Sequence, residues 1–277
     1  MHNKNIFLSS VKESSLLVWR HKGLFFILFV LQIIFFAVLS LINLTYQARI
    51  LDSIQAITNY LAKQRLDDIS VSSNLVAQKN ILGDDPLLIS RNFNSILRYF
   101  RLYMIYTFML LTFFISLSWT ITNKLVHKMN VKQFFKLLLK NFAVLLFYLG
   151  LIFVFFLSLV DISLTGISSD ASKLFEKYVP FLIFSIVLVY FMYVSLALTH
   201  CTQLKNIIQK TLGVGIRKIK YILGVYFLNI FLLAVSIALI YLFIDNFPIL
   251  FISMILMIFS LIFDRIFMVK VVENLIE

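Results

Sequence analysis

The sequence is poor in the residues that punctuate a soluble fold. It holds 3 prolines and 7 glycines in 277 residues, little material for linkers, so a single membrane domain over 1–277 is the economical reading. A single cysteine, Cys201, excludes an internal disulfide and any multi-cysteine metal site. Charged residues make up 14% and hydrophobic ones 61%, against about 25% and about 45–50% in soluble domains. Mean hydropathy is +0.96. These values exclude an ordinary soluble globule and point to an integral membrane protein. Negative charge is locally absent: no Asp or Glu occurs between 123 and 160.

Catalytic signatures are missing as well. There is no H-E-x-x-H, no G-x-S-x-G and no glycine-rich phosphate loop. The GVG at 213–215 is too short to cradle a phosphate, and small residues on a helix face beside a membrane account for it. His200 and Cys201 are neighbours, so on a helix they project about 100° apart and form no chelating face. They read as a boundary histidine and a buried thiol. The chain is expected to be no enzyme and to carry no metal or cofactor.

What is present is a set of long apolar runs. A bilayer core about 30 Å thick takes roughly 20 residues of helix at 1.5 Å per residue. Six segments meet that length, at about 24–44, 102–123, 142–160, 179–199, 222–244 and 247–263. Strands fail on length and on the lack of strict alternation. The first run is not followed by an A-x-A-like cleavage site and is too long for a signal-peptide core, so it is expected to stay as an anchor.

Lys and Arg accumulate in cytoplasmic connections, which sets orientation. The N-terminal segment has Lys4, Lys12, Arg20 and Lys22; 124–140 has five lysines; 200–221 has Lys205, Lys210, Arg217, Lys218 and Lys220. These fall on one side. The connection at 161–178 has Lys173 and Lys177 against Asp161, Asp170 and Glu176, the one before the last span has only Asp245, and both fall on the other side. A cell-membrane, multi-pass protein with both termini in the cytoplasm is expected.

The basic connections share a design. On a helix, VKQFFKLLLKNF at 131–142 places Lys132, Lys136 and Lys140 opposite Phe134, Phe135, Leu138 and Leu139, with Asn130 as N-cap. Such a helix lies in the headgroup layer over anionic cytoplasmic lipid. Related stripes precede the first span (Phe7, Val11 and Val18, filled by Ser10 and Ser14) and the fifth (Leu204, Ile207, Ile208, Leu212). Each ends on a basic residue beside the membrane, Lys22, Lys140 or Lys220. The expected fold is all-α: a polytopic six-helix transmembrane bundle with amphipathic cytoplasmic surface helices before spans 1, 3 and 5.

The order of basic helix and span pair, the third unit NIIQKTLGVGIRKIKYILGVYF and the closing DRIFMVKVVENL resemble a broad group of bacterial and archaeal six-span membrane proteins of unknown function. The pattern is similar to the membrane domain ahead of the catalytic domain in some bacterial glycerophosphodiester phosphodiesterases. It covers most of the chain except 45–98. No such catalytic domain is read after the last span here, so the resemblance implies architecture and little about activity.

Residues 45–101 form an external helical insertion between the first two spans. Leu51, Ile54, Ile57 and Leu61 recur at helical spacing, LGDDP marks a turn with Pro86 opening the next helix, and Ile96, Tyr99 and Phe100 lead into the second span. An apolar stripe outside a membrane needs cover: either the segment packs against itself or caps the bundle as a scaffold, or it binds a protein partner or gates a substrate. Within the spans, Gln32 and Asn229 are costly in hydrocarbon and read as hydrogen-bonding residues between helices. Asp264 and Arg265 stand at the cytoplasmic end of the last span, able to neutralise each other or pair with the basic junctions.

The functional expectation is a non-enzymatic membrane subunit or scaffold that contacts anionic lipid and partner proteins. A transporter or permease-like component moving a small solute or lipid is the alternative; a lipid enzyme lacks a visible catalytic constellation. Nucleic acid is excluded as a partner, because the lysines flank apolar spans without aromatic interleaving.

Overall fold

A computed structural model describes residues 6–70, 87–165 and 171–276, with side chains for 7–63, 87–158 and 178–276. The LGDDP turn and Pro86 lie outside the described residues. Eight α-helices are described: α1 (Ile6–Arg20), α2 (Lys22–Ser70), α3 (Leu88–Val126), α4 (Val131–Thr165), α5 (Ala171–Leu198), α6 (Ile207–Arg217), α7 (Ile219–Leu242) and α8 (Phe247–Ile276). A 3-10 turn, Leu204–Asn206, precedes α6. Six helices, α2, α3, α4, α5, α7 and α8, are long and apolar enough to cross a membrane. The described fold is therefore all-α and fits a multi-pass membrane protein.

Local chemistry sets several boundaries. Asn130 Oδ1 accepts from Gln133 N at 2.9 Å while Asn130 N donates to Gln133 Oε1 at 3.1 Å, a reciprocal capping box that starts α4. No proline follows within the 35 residues of α4, so nothing breaks it. This corrects one expectation. The surface helix foreseen before the third span is no separate element, but the first turns of a continuous helix. The breaks foreseen after the other two stripes are present, at His21 between α1 and α2 and at Lys218 between α6 and α7. Asn246 Oδ1 receives Ile249 N at 3.4 Å at the start of α8, and Pro248 occupies its first turn, where no helical donor is lost.

The helices group into two compact units, Met1–Ile34 with Leu111–Glu277, and Phe35–Leu110. In the first, α8 packs on α7, α1 and α5, and α5 packs on α4 and α6. The core gathers Trp119, Leu145, Val194, Leu196, Ile222 and the run Phe267, Met268, Val269, Val271, Val272. α1 does not simply rest on a headgroup layer. Its stripe faces α8: Phe7 meets Phe267 edge-on at 5.1 Å, Asn274 Nδ2 donates to Ser10 Oγ at 2.9 Å, and Ser10 and Ser14 are fully buried.

The second unit pairs part of α2 with part of α3. Tyr46 packs on Tyr103 and Tyr106 at 6.2 and 5.9 Å, and Arg49 sits 5.5 Å over Tyr99. These contacts step forward along α2 and backward along α3, as in an antiparallel pair. The 49 residues of α2 amount to about 73 Å counted along the helix at 1.5 Å per residue, more than twice the bilayer core of about 30 Å. Leu51, Ile54 and Leu61 are exposed along its later turns.

Candidate functional site

Polar side chains in the first unit collect in three places. The first is a lock across α3, α4 and α5. Asn141 Nδ2 donates to Thr120 Oγ1 at 2.9 Å, Thr120 Oγ1 donates to Ser116 O at 2.8 Å, and Thr199 Oγ1 donates to Asn141 Oδ1 at 2.7 Å. All four residues are buried, and every bond removes a polar group from a medium that cannot solvate it. A second relay, Tyr148 OH to Ser195 Oγ at 3.0 Å and Ser195 Oγ to Thr211 Oγ1 at 2.9 Å, joins α4, α5 and α6. Tyr190 OH donates to Gly215 O at 2.7 Å, and Tyr226 OH donates to Tyr190 O at 3.1 Å. A Cβ at Gly215 would lie 3.0 Å from the Phe191 ring, so this glycine of GVG serves close helix packing.

The second place is the end of α5. Lys140 Nζ donates to Thr202 O at 3.1 Å and to Thr199 O at 3.5 Å. A cation there satisfies terminal carbonyls and complements the helix dipole. Lys140 is thus a tie between α4 and the end of α5, whereas Lys132 and Lys136 are exposed as expected. Nearby, His127 and His200 stack at 3.8 Å, and His127 Nε2 lies 2.6 Å from Glu273 Oε1, while the other carboxylate oxygen, Oε2, accepts from Lys270 Nζ at 2.9 Å. Burial, then the neighbouring His127, holds the His200 imidazole below its usual range. Cys201 is exposed, which corrects the expected buried thiol.

The third place brings together the polar residues that the sequence singled out inside the spans. Arg265 donates through NH2 to Gln32 Oε1 at 3.0 Å and through Nε to Leu261 O at 3.0 Å. Gln32 is 8% exposed, Arg265 8%, Asp264 7% and Asn229 6%. α8 continues beyond Asp264 and Arg265 to Ile276. Arg265 pairs with Gln32 on α2, not with a basic junction. Asn229 and Asp264 line a cavity of about 500 Å³ between α5, α7 and α8. The oxygens Asn229 Oδ1 and Asp264 Oδ1 have no hydrogen-bond partner.

The other basic residues lie outside these clusters. Lys22 sits 3.8 Å over the Trp19 ring, and Arg217, Lys218 and Lys220 are exposed at the junction of α6 and α7. Sequence reasoning passed over Asn141, Thr199 and Tyr148. The hydroxyls of SLSWTITN were a partial signal: Thr120 joins the lock, whereas Thr122 Oγ1 only bonds back to Ser118 O at 2.9 Å. Among the described residues, no three His, Cys, Asp or Glu side chains converge as a metal site would require.

Comparison with protein-family models, with curated proteins and with solved structures finds no match. The class is set by the chain's own features: an all-helical polypeptide with six helices able to span a membrane, tied internally by buried polar bonds.

Proposed function

We propose that the chain is a non-enzymatic polytopic membrane component, a subunit or scaffold that engages anionic lipid on the cytoplasmic side and a protein partner on the external side. One observation carries this reading: α2 outruns the bilayer by about 40 Å and keeps Leu51, Ile54 and Leu61 exposed along that excess. Exposed apolar stripes of this kind mark interaction surfaces. The exposed cations Lys22, Lys132, Lys136, Arg217, Lys218 and Lys220 support the lipid contact, each worth about 1 kcal/mol beside an anionic surface. Their side, like the cytoplasmic placing of both termini, follows from the distribution of Lys and Arg.

Purification of the full chain in mild detergent, followed by mass spectrometry of what accompanies it, tests the reading. A stoichiometric protein that is lost when Leu51, Ile54 and Leu61 are replaced together by Gln supports it. A chain accompanied by lipid alone, with or without those replacements, overturns it. A permease-like component moving a small solute or lipid is the second reading, favoured by the cavity at Asn229 and Asp264. Flux into vesicles that depends on both residues would put it first.

A further inference from the structure

The cavity between α5, α7 and α8 combines features that identify a ligand class. Its volume, about 500 Å³, lies within the roughly 300–1,000 Å³ of small-molecule sites. The wall is nearly all apolar, and its rim residues Leu182, Ile186, Phe227 and Ile230 are exposed on helices able to span a membrane. An opening with that rim admits molecules from the hydrocarbon more readily than from water.

The polar groups at the wall are few and specific. The hydroxyls of Tyr190 and Tyr226 are committed to backbone carbonyls. Asn229 Oδ1, Asp264 Oδ1 and Ser185 Oγ have no partner, and Asn229 and Asp264 are more than nine-tenths buried. Unmade hydrogen bonds of this kind are expensive in an apolar setting, so an occupant that supplies them is strongly favoured. Two of the three free atoms are acceptors, and the occupant must present a donor. A phosphate or carboxylate head would face the Asp264 carboxyl and the Asn229 carbonyl, both of the wrong polarity. A cationic head would be repelled by the charge of Arg265, which lies outside the wall but already acts on Asp264. A neutral hydroxyl avoids both conflicts and can also accept from Ser185.

We propose that this cavity is a binding site for a neutral lipid alcohol, a single long hydrocarbon chain with a hydroxyl head. The chain fills the apolar wall, and the hydroxyl donates its one hydrogen to Asn229 Oδ1 or Asp264 Oδ1. The assignment rests on neither functional reading, since a bound lipid serves a subunit as well as a permease.

The test uses the full chain in phosphatidylcholine nanodiscs and a diazirine-bearing hexadecanol as photoreactive probe. Crosslinks are expected in the peptides spanning 182–193 and 223–233. Unlabelled hexadecanol should compete at concentrations at least about tenfold lower than hexadecyl phosphate or hexadecane, the ratio expected for about one good hydrogen bond. Replacing Asn229 and Asp264 together by Leu, which removes both acceptors, should weaken competition by about tenfold. Ile230→Trp, which changes only a lipid-facing rim residue and so leaves the packed interior intact, should abolish labelling by plugging the mouth. Equal competition by all three compounds, labelling indifferent to these substitutions, or no labelling of these peptides would overturn the proposal and leave the cavity to ordinary lipid chains.

Discussion

Replacing Asn141 by Ala removes the centre of the lock joining α3, α4 and α5. Two bonds go: Asn141 Nδ2 to Thr120 Oγ1, and Thr199 Oγ1 to Asn141 Oδ1. A buried hydrogen bond contributes a net of about 0.5–1.5 kcal/mol, and between membrane helices the average is about 0.6 kcal/mol. The losses are unequal. Thr199 Oγ1 already lies 2.7 Å from Leu196 O and can turn its proton there, whereas Thr120 Oγ1 loses its donor with no replacement. The expected destabilisation is therefore about 1–3 kcal/mol. Reversible unfolding of the purified protein in mixed micelles by sodium dodecyl sulfate titration measures it, and a double-mutant cycle with Thr120→Val isolates the pair. Coupling of about 0.5 kcal/mol or more is expected. A loss below about 0.5 kcal/mol with additive single mutants would refute the claim that this amide holds three helices together.

Phe267→Ala should cost about 3–5 kcal/mol, because the ring is fully buried and its edge contact with Phe7 holds α1 to α8; the same titration reads it, and faster proteolysis within 6–20 should accompany it. Lys140→Met should lower stability by about 0.3–2 kcal/mol and leave binding to phosphatidylglycerol vesicles unchanged, while Lys132→Gln with Lys136→Gln should weaken that binding and leave stability unchanged. The pH dependence follows from His200. Its imidazole is held below the usual value by burial and by His127, with Lys140 acting the same way and Glu273 opposing, so the unfolded chain binds a proton first. Stability from this group is fully present above about pH 6.5 and is lost as pH falls through the lower folded value. His200→Gln should flatten that part of a stability profile between pH 7 and 5, and an unchanged slope would contradict the assignment.

The spans were legible because about 20 apolar residues in a row have few alternatives to a membrane. Interruption was less legible. The lysine spacing at 132, 136 and 140 suggested a surface helix ended by a junction, yet nothing in 131–165 stops a helix, and α4 runs through. An amphipathic stripe also does not reveal what it faces. Phe7, Ser10, Val11 and Ser14 were correctly grouped on one face, but that face covers α8. Asp264 and Arg265 were placed at the end of the last span because hydropathy falls where charge begins; Gln32, the partner of Arg265, is 233 residues away in sequence, beyond any local pattern. The N-cap at Asn130 is local and was read from the sequence, whereas its reciprocal partner Gln133 was not.

Thiol accessibility tests most directly the claim that α2 carries its apolar stripe across the bilayer, away from the basic connections. Cys201 is exposed and is the chain's own cysteine, in the basic connection between α5 and α7. A second reporter is Gln55→Cys in a Cys201→Ser background, on an exposed position of α2. With a membrane-impermeant maleimide, the account predicts that in intact cells the thiol at 55 is labelled and Cys201 is protected, and that in inside-out vesicles the order reverses. Labelling of both positions from the same side would contradict it.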